Sequence, residues 1–390
     1  MMKTDVEPFN QPTYVTRPLL PDLTKVSEKL KEIWDSQWLT NNGRQHELLE
    51  RALLRVLKVP YLSLFNNGTI ALIVACQSLR LSGEVITTPF TFPATPHVLT
   101  WNNIRPVFCD IDEKTMNIDA DKVETMITPQ TTGILAVHVF GTPCDVDRIQ
   151  KVADRYGLKV VYDAAHAFGV EIDGTGIGNF GDVTMFSFHA TKLFHTAEGG
   201  ALTFSDKNLK SRIDLLKNFG IKNEEEVAMP GINGKMNELQ AALGLAVLDL
   251  VEEEQRKRKI IKEVYTKHLA DVEGITLIAP LPNVKDADQY FVIRIDERRF
   301  GRSRDEVYQG FRNYNVFTRK YFYPLCSDYP CYKQLPSSHP SKLPVAQLVV
   351  REVLSLPFYG DLAIDDAVKI CMLLKSFSCK GKRVRTACRK

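Results

Sequence analysis

Between about Leu53 and Phe204, short apolar runs rich in β-branched residues alternate with segments of helical period. A strand, a helix and a further strand in succession pack well when the strands run parallel and the helices cover the sheet. The strand candidates are 61–65 (YLSLF), 84–88, 105–110, 132–139, 159–163, 182–188 and 200–204. Between them, 69–79 follows Gly68 and opens on Thr69, which can cap a helix, and 145–156 opens on Asp145 and sets Val146, Ile149 and Val152 on one face. The expected fold class is therefore α/β, a mostly parallel central sheet flanked by helices.

Further along, Asn237 and Gln240 have the spacing of a capping box and open a long helical pattern to about Leu269. Its first half is apolar nearly all round and its second half is charged, which predicts one helix leaving a buried or subunit-facing environment and carrying the chain into a second domain. Past about residue 270, the runs GITLIAP, YFVIRID and VLSLPF and the helical patterns SRDEVYQGFRNY and IDDAVKICMLLKSF predict a smaller C-terminal α+β domain. The expected organisation is an N-terminal arm over 1–22, a large domain over 23–250, a small one over 251–376 and a basic, disordered tail over 377–390.

Composition matters mainly through that tail. The net charge is +3, from 50 Lys plus Arg against 47 Asp plus Glu, but 377–390 carries six basic residues and no acid, and setting those aside leaves −3. A body of that charge does not call for a nucleic-acid partner, and the signs of EEEQRKRK are mixed as on a solvated helix face. The uncharged stretch 85–104 is broken by Pro89, Pro93 and Pro96, so no membrane span is expected. The first twenty residues lack the apolar run of a secretory signal, and the eight cysteines form no CxxC pair, which predicts a cytoplasmic, reducing setting. Cys326, Cys331 and His339 lack a fourth ligand, and no metal site is expected.

Four segments bear on chemistry. Gly176, Gly178 and Gly181 spell GxGxxG, but a strand-like run follows where a dinucleotide fingerprint needs a helix, so the glycines read as a turn. NNGTIAL (66–72) puts Gly68 and Thr69 at a helix N-terminus, which serves as a phosphate site or as a plain turn. VVYDAAHAFG (160–169) puts Asp163 at the carboxyl end of a buried strand, where ligands of open α/β sheets bind, with His166 as a neighbour or as half of a structural Asp–His pair. SFHATKLFHTAEGG (187–200) gathers Ser187, His189, Thr191 and Lys192 in one loop. A lysine among small and apolar groups has a lowered pKa and acts as an amine nucleophile. His195 reads as structural.

Together NGT, TPFTFPAT, YDAAHAFG, SFHATK with EGG, and GINGKMNELQAA, in this order and spacing, resemble the DegT-type sugar aminotransferases. These are fold-type-I enzymes that use pyridoxal 5'-phosphate on nucleotide-linked keto-sugars, and the resemblance runs from about Trp38 to Asp361. It implies that Lys192 is the catalytic residue, bonding the cofactor's aldehyde and later moving a proton. Asp163 would pair with the pyridine nitrogen, Phe92 would stack on the ring, and His166 would lie near its other substituents. Gly68, Thr69 and Ser187 would bind the phosphate. Asn233 or Lys235 would reach the phosphate from a neighbouring subunit, which implies a homodimer with shared active sites. His189 matches the SFH motif, on the substrate side or as a loop brace.

The resemblance further implies L-glutamate as amino donor and pyridoxamine phosphate as the cofactor's alternate form. Lysine at position 192 separates the chain from dehydratase relatives, which have histidine there. WLTNNG and GINGKMNELQAALGL look most like enzymes that aminate C4 of dTDP-4-keto-6-deoxy-D-glucose to dTDP-4-amino-4,6-dideoxy-D-glucose, for O-antigen or other glycan synthesis. A 3-keto or UDP-linked sugar shares most of the pattern. Arg319, Tyr321 and Tyr323 in FTRKYFYPL suit a diphosphate and a sugar or base face, or equally a basic edge with core aromatics.

Overall fold

The computed structural model describes residues 6–40 and 42–378. Most of the expected tail, with Cys379 and Cys388, lies outside the described residues.

Seven strands form the main sheet: β1 (Tyr61–Phe65), β2 (Glu84–Thr87), β3 (Arg105–Phe108), β4 (Thr131–Val137), β5 (Lys159–Asp163), β6 (Val183–Ser187) and β7 (Gly200–Phe204). Their spatial order is β1-β7-β6-β5-β4-β2-β3. Only β7 runs against its neighbours. The strands read as continuous apolar runs because both faces are covered. Val161 and Val183 pack on one face with Leu72 and Leu99, while Val160 and Tyr162 pack on the other with Ile149 and Val152. That split is the period-2 alternation of a strand.

The expected single helix after Asn237 is two, Glu238–Leu248 and Val251–Leu269. The capping box is present, with Asn237 accepting from the Gln240 N–H and Gln240 accepting in return from the Asn237 N–H. The break at Asp249 and Leu250 separates two packing tasks. Ala241 and Val247 join a core with Leu53 and Phe186 of the large sheet's side, whereas Ile261, Tyr265 and Leu269 join a different core with Ile293, Leu354 and Ile370. That second core surrounds a three-stranded antiparallel sheet of Ile275–Leu277, Phe291–Ile295 and Val353–Leu356, with Phe291–Ile295 in the middle. The helix Ile364–Phe377 closes it, and Phe377 is buried edge-on against Phe311 at 5.2 Å between ring centroids. Phe377 therefore belongs to the folded body, not to the tail.

The GxGxxG segment ends the short strand Thr175–Gly176 and continues as a single 3-10 turn, Ile177–Asn179. Gly176 sits where a Cβ would come within 2.1 Å of the Leu57 carbonyl oxygen, so its missing side chain allows two backbones to meet. No helix among the described residues is long and apolar enough to cross a membrane.

Candidate active site

The carboxyl ends of β1, β5 and β6 and the start of β7 meet at one edge of the sheet. Gly200 is paired with both Phe65 and Ser187. A Cβ on Gly200 would lie 2.8 Å from the Gly68 nitrogen and 2.9 Å from the Asn67 carbonyl carbon, so the EGG sequence lets β7 cross directly against the turn after β1. That turn opens the helix Gly68–Ser78, whose cap is Asn67 and not Thr69: the Asn67 side chain accepts from the Ile70 N–H at 2.8 Å. The N–H groups of Gly68 and Thr69 have no acceptor within the helix and stand at the positive end of its dipole.

Over this edge lies a cavity of about 640 Å³ lined by Asn67, Gly68, Thr69, Phe92, Asp163, His166, Ser187, His189, Lys192, Tyr290, Tyr321 and Phe322 among others. Asp163 is buried. Its Oδ1 accepts from the Ala165 N–H at 3.0 Å and its Oδ2 from the Thr95 hydroxyl at 2.8 Å. Burial still holds its pKa above the usual carboxylate range, despite those bonds and the attraction of Lys192. A carboxylate so placed favours a cationic N–H partner inside the cavity.

Lys192 stands on the loop after β6, with Nζ 3.3 Å from the Tyr290 hydroxyl. Burial pushes its pKa down to about 8, against the opposing pull of Tyr321 and Asp163. His166 does not bond Asp163, which removes the structural-pair alternative. Its Nδ1 accepts from the Phe140 N–H at 3.2 Å, and its ring lies parallel to Phe322 at 5.7 Å and 2°. Burial holds its pKa well below the ordinary value, so the ring is neutral with its proton on Nε2.

Phe92 is 59% exposed and lines the same cavity as Asp163. His189 braces its own loop, Nδ1 to the Thr191 hydroxyl at 2.8 Å, while also lining the cavity. His195 bonds the Leu19 carbonyl at 2.8 Å and is buried away from the cavity.

Four candidates are not brought to this cavity. Asn233 and Lys235 lie on the segment that pairs with Asn218 and Phe65, and the Lys235 ammonium sits over Phe219 at 4.7 Å. Arg319 pairs through its backbone with Ser355, and the Tyr323 ring packs under Arg304 and Lys320. In FTRKYFYPL only Tyr321 and Phe322 face the site. Thr95, Gln289, Tyr290 and Phe322 were not singled out from the sequence. Thr95 stands inside TPFTFPAT and could have been found there as a hydroxyl one helical turn after Thr91. Among the described residues no group of three or more His, Cys, Asp or Glu is placed to hold a metal ion.

The model of the DegT/DnrJ/EryC1/StrS aminotransferase family matches residues 23–375. The chain belongs to that family. It is 48% identical over 363 residues to the dTDP-4-amino-4,6-dideoxy-D-glucose transaminase of Escherichia coli, covering 92% of this chain and 97% of that protein. It is 44% identical over 357 residues to the protein of the same name from Shigella dysenteriae, covering 92% and 96%. The solved structure of DesI in the presence of its TDP-sugar product superposes with a TM-score of 0.92 at 36% identity, covering 98% of this chain and 97% of that one. This member of the DegT family is a pyridoxal-phosphate-dependent aminotransferase with the family's α/β fold. The cavity fits that cofactor on its own chemistry: a buried acid without a cation in contact, an amine of lowered pKa, and free N–H groups at a helix N-terminus for the phosphate.

Proposed function

We propose that this DegT-family chain transfers the amino group of L-glutamate to C4 of dTDP-4-keto-6-deoxy-D-glucose, giving dTDP-4-amino-4,6-dideoxy-D-glucose, with Lys192 as the catalytic residue. The observation that carries the reading is Lys192 beside Asp163 in one cavity, a proton-accepting amine opposite a buried acid. Bound pyridoxal phosphate supplies an electron sink for the carbon that carries the amine. The chain's residues do the rest. Gly68, Thr69 and Ser187 would hold the phosphate by N–H and hydroxyl groups. Asp163 would keep the pyridine nitrogen protonated, Phe92 would lie against the ring, and His166 would donate from Nε2. Lys192 would bond the aldehyde carbon through Nζ with loss of water and, when displaced, would take up and return the proton at the reacting carbon. The acceptor is proposed from the names of the two relatives and the TDP-sugar product of the DesI structure.

The purified protein is expected to be yellow, and borohydride is expected to fix the cofactor onto Lys192 in peptide mapping. With glutamate and the dTDP-4-keto sugar, 2-oxoglutarate and a C4 amino-sugar should form in equal amounts. Amination only of UDP-linked or 3-keto sugars would overturn the acceptor, and sugar dehydration without 2-oxoglutarate would overturn the transaminase reading.

Asn233 and Lys235, held off their own cavity, fit a homodimer in which each reaches the other copy's phosphate. Phe219, Ile221, Val227 and Ile232 expose apolar surface on the same segment, as an interface would. Mixing Lys192→Ala subunits with Asn233→Ala subunits should then restore about a quarter of the activity, because each mixed dimer holds one native site. No recovery on mixing would place Asn233 outside a shared site. We assign the reaction to the cytoplasm, where the six described cysteines, all unpaired, remain reduced.

A further inference from the structure

We propose that Gln289 and Tyr290, consecutive residues entering the central strand of the smaller sheet, position Lys192: the first holds the main chain on both sides of it and the second holds its amine. The inference rests on Lys192 being the reacting lysine and adds how it is aimed. The Gln289 side chain is buried, and its Oε1 accepts from the Leu193 N–H at 2.7 Å while its Nε2 donates to the Thr191 carbonyl at 3.3 Å. One amide thus spans the two peptide groups flanking Lys192. The Tyr290 hydroxyl then meets Nζ at 3.3 Å, and its ring is fixed edge-on by His166 at 5.0 Å and by Tyr321 at 5.6 Å.

The loop needs such a hold. Its residues near Lys192 belong to no helix or strand, and the lysine amide's backbone bond is a local one to His189. A lysine side chain has many rotamers, and an amine that must meet a reacting carbon gains rate when that freedom is removed beforehand. The dipeptide is itself held from behind. Arg258, buried in the helix Val251–Leu269, pairs through Nε with Glu254 at 2.6 Å and turns Nη1 toward the carbonyls of Asp288 and Gln289 at 3.3 and 3.4 Å. Glu254 also accepts from the Gly360 N–H at 2.8 Å. A buried ion pair gives little net stability for its desolvation. Here its donors tie the Gln289 backbone to the helix, so the hold on Lys192 comes from the smaller sheet's side of the molecule.

The test uses the full chain with its cofactor bound. In Gln289→Leu the Leu193 amide should exchange at least about tenfold faster by hydrogen-exchange mass spectrometry, and kcat should fall about 10- to 100-fold with the sugar's KM within about threefold. In Tyr290→Phe the Leu193 exchange should stay as in the native chain, while kcat falls and the pH midpoint of the bound cofactor's visible absorbance moves by more than about 0.5 unit. Should Gln289→Leu fail to fold, Gln289→Met, of similar length and without the amide, makes the same comparison. Unchanged exchange, midpoint and kcat with borohydride still marking Lys192 would overturn this inference alone. A rise in KM at unchanged kcat would also overturn it, assigning the pair to the sugar pocket. Borohydride marking a different lysine would instead overturn the function proposed above.

Discussion

Lys192→Ala is expected to lose at least about 10⁴-fold in kcat while remaining folded and able to bind the cofactor. The size follows from two roles resting on one atom. Nζ is the covalent anchor and also the base at the reacting carbon, and among the lining residues Lys192 is the only lysine. Neither His166 nor Tyr290 is suited to replace it: His166 is neutral with Nδ1 already bonded, and burial keeps the Tyr290 hydroxyl protonated far past the working range. Folding should be insensitive, because the change removes an amine that burial disfavours as a cation and leaves Tyr290 a hydroxyl facing the open cavity. The native pH profile should carry the same signature. The amine loses its proton near pH 8, so at pH 7 roughly a tenth of it is in the accepting form. The sugar-amination step should therefore quicken on going from pH 7 to pH 8 and level off above. Adding methylamine to Lys192→Ala should return part of the rate, since a small free amine can occupy the vacated space. Turnover of the alanine variant within about tenfold of the native rate would exclude covalent catalysis by Lys192.

How far the site could be read from the sequence depended on how local each part is. Lys192, Ser187 and His189 share one loop, and Asp163 and His166 one strand end, so short motifs carried them. Gln289 and Tyr290 meet that loop across 96 to 98 residues of chain. From the sequence Tyr290 opens the apolar, strand-like run YFVIRID and Gln289 is the polar residue just before it, and periodicity there reports burial and nothing of what is contacted. FTRKYFYPL shows the converse. Residue type alone leaves Arg319, Tyr321 and Tyr323 equally suited to a ligand or to a basic edge with core aromatics, and the structure divides them: Tyr323 packs against Arg304 and Lys320 while Tyr321 faces the cavity. The parallel sheet was legible because both faces are buried. The break at Asp249 was not, since neither Gly nor Pro marks it and its cause is that two cores claim the two halves of one apolar-to-charged pattern.

Asp163→Asn should separate what the acid contributes to chemistry from what it does to the fold. Asparagine keeps the shape and both bonds: its oxygen accepts from the Ala165 N–H, and its amide can donate to the Thr95 hydroxyl, which turns toward Thr91 at 2.9 Å. What is lost is charge. Burial raises the acid's folded pKa above its unfolded value, so the folded chain holds the proton more tightly. The cofactor-free protein therefore loses stability as pH rises from the unfolded pKa through the folded one, as the buried carboxyl takes on its charge. Removing it should raise the stability of the cofactor-free chain by about 1–3 kcal/mol in denaturant unfolding. With cofactor the sign reverses. A neutral amide cannot hold the pyridine nitrogen in its protonated form, so affinity should weaken and kcat should fall by about 10²–10⁴. Greater stability when empty with lower activity when loaded is the mark of a group kept for chemistry at the expense of folding. An Asp163→Asn protein as active as the native one would remove the carboxylate from the mechanism, and one less stable when empty would make it a structural residue.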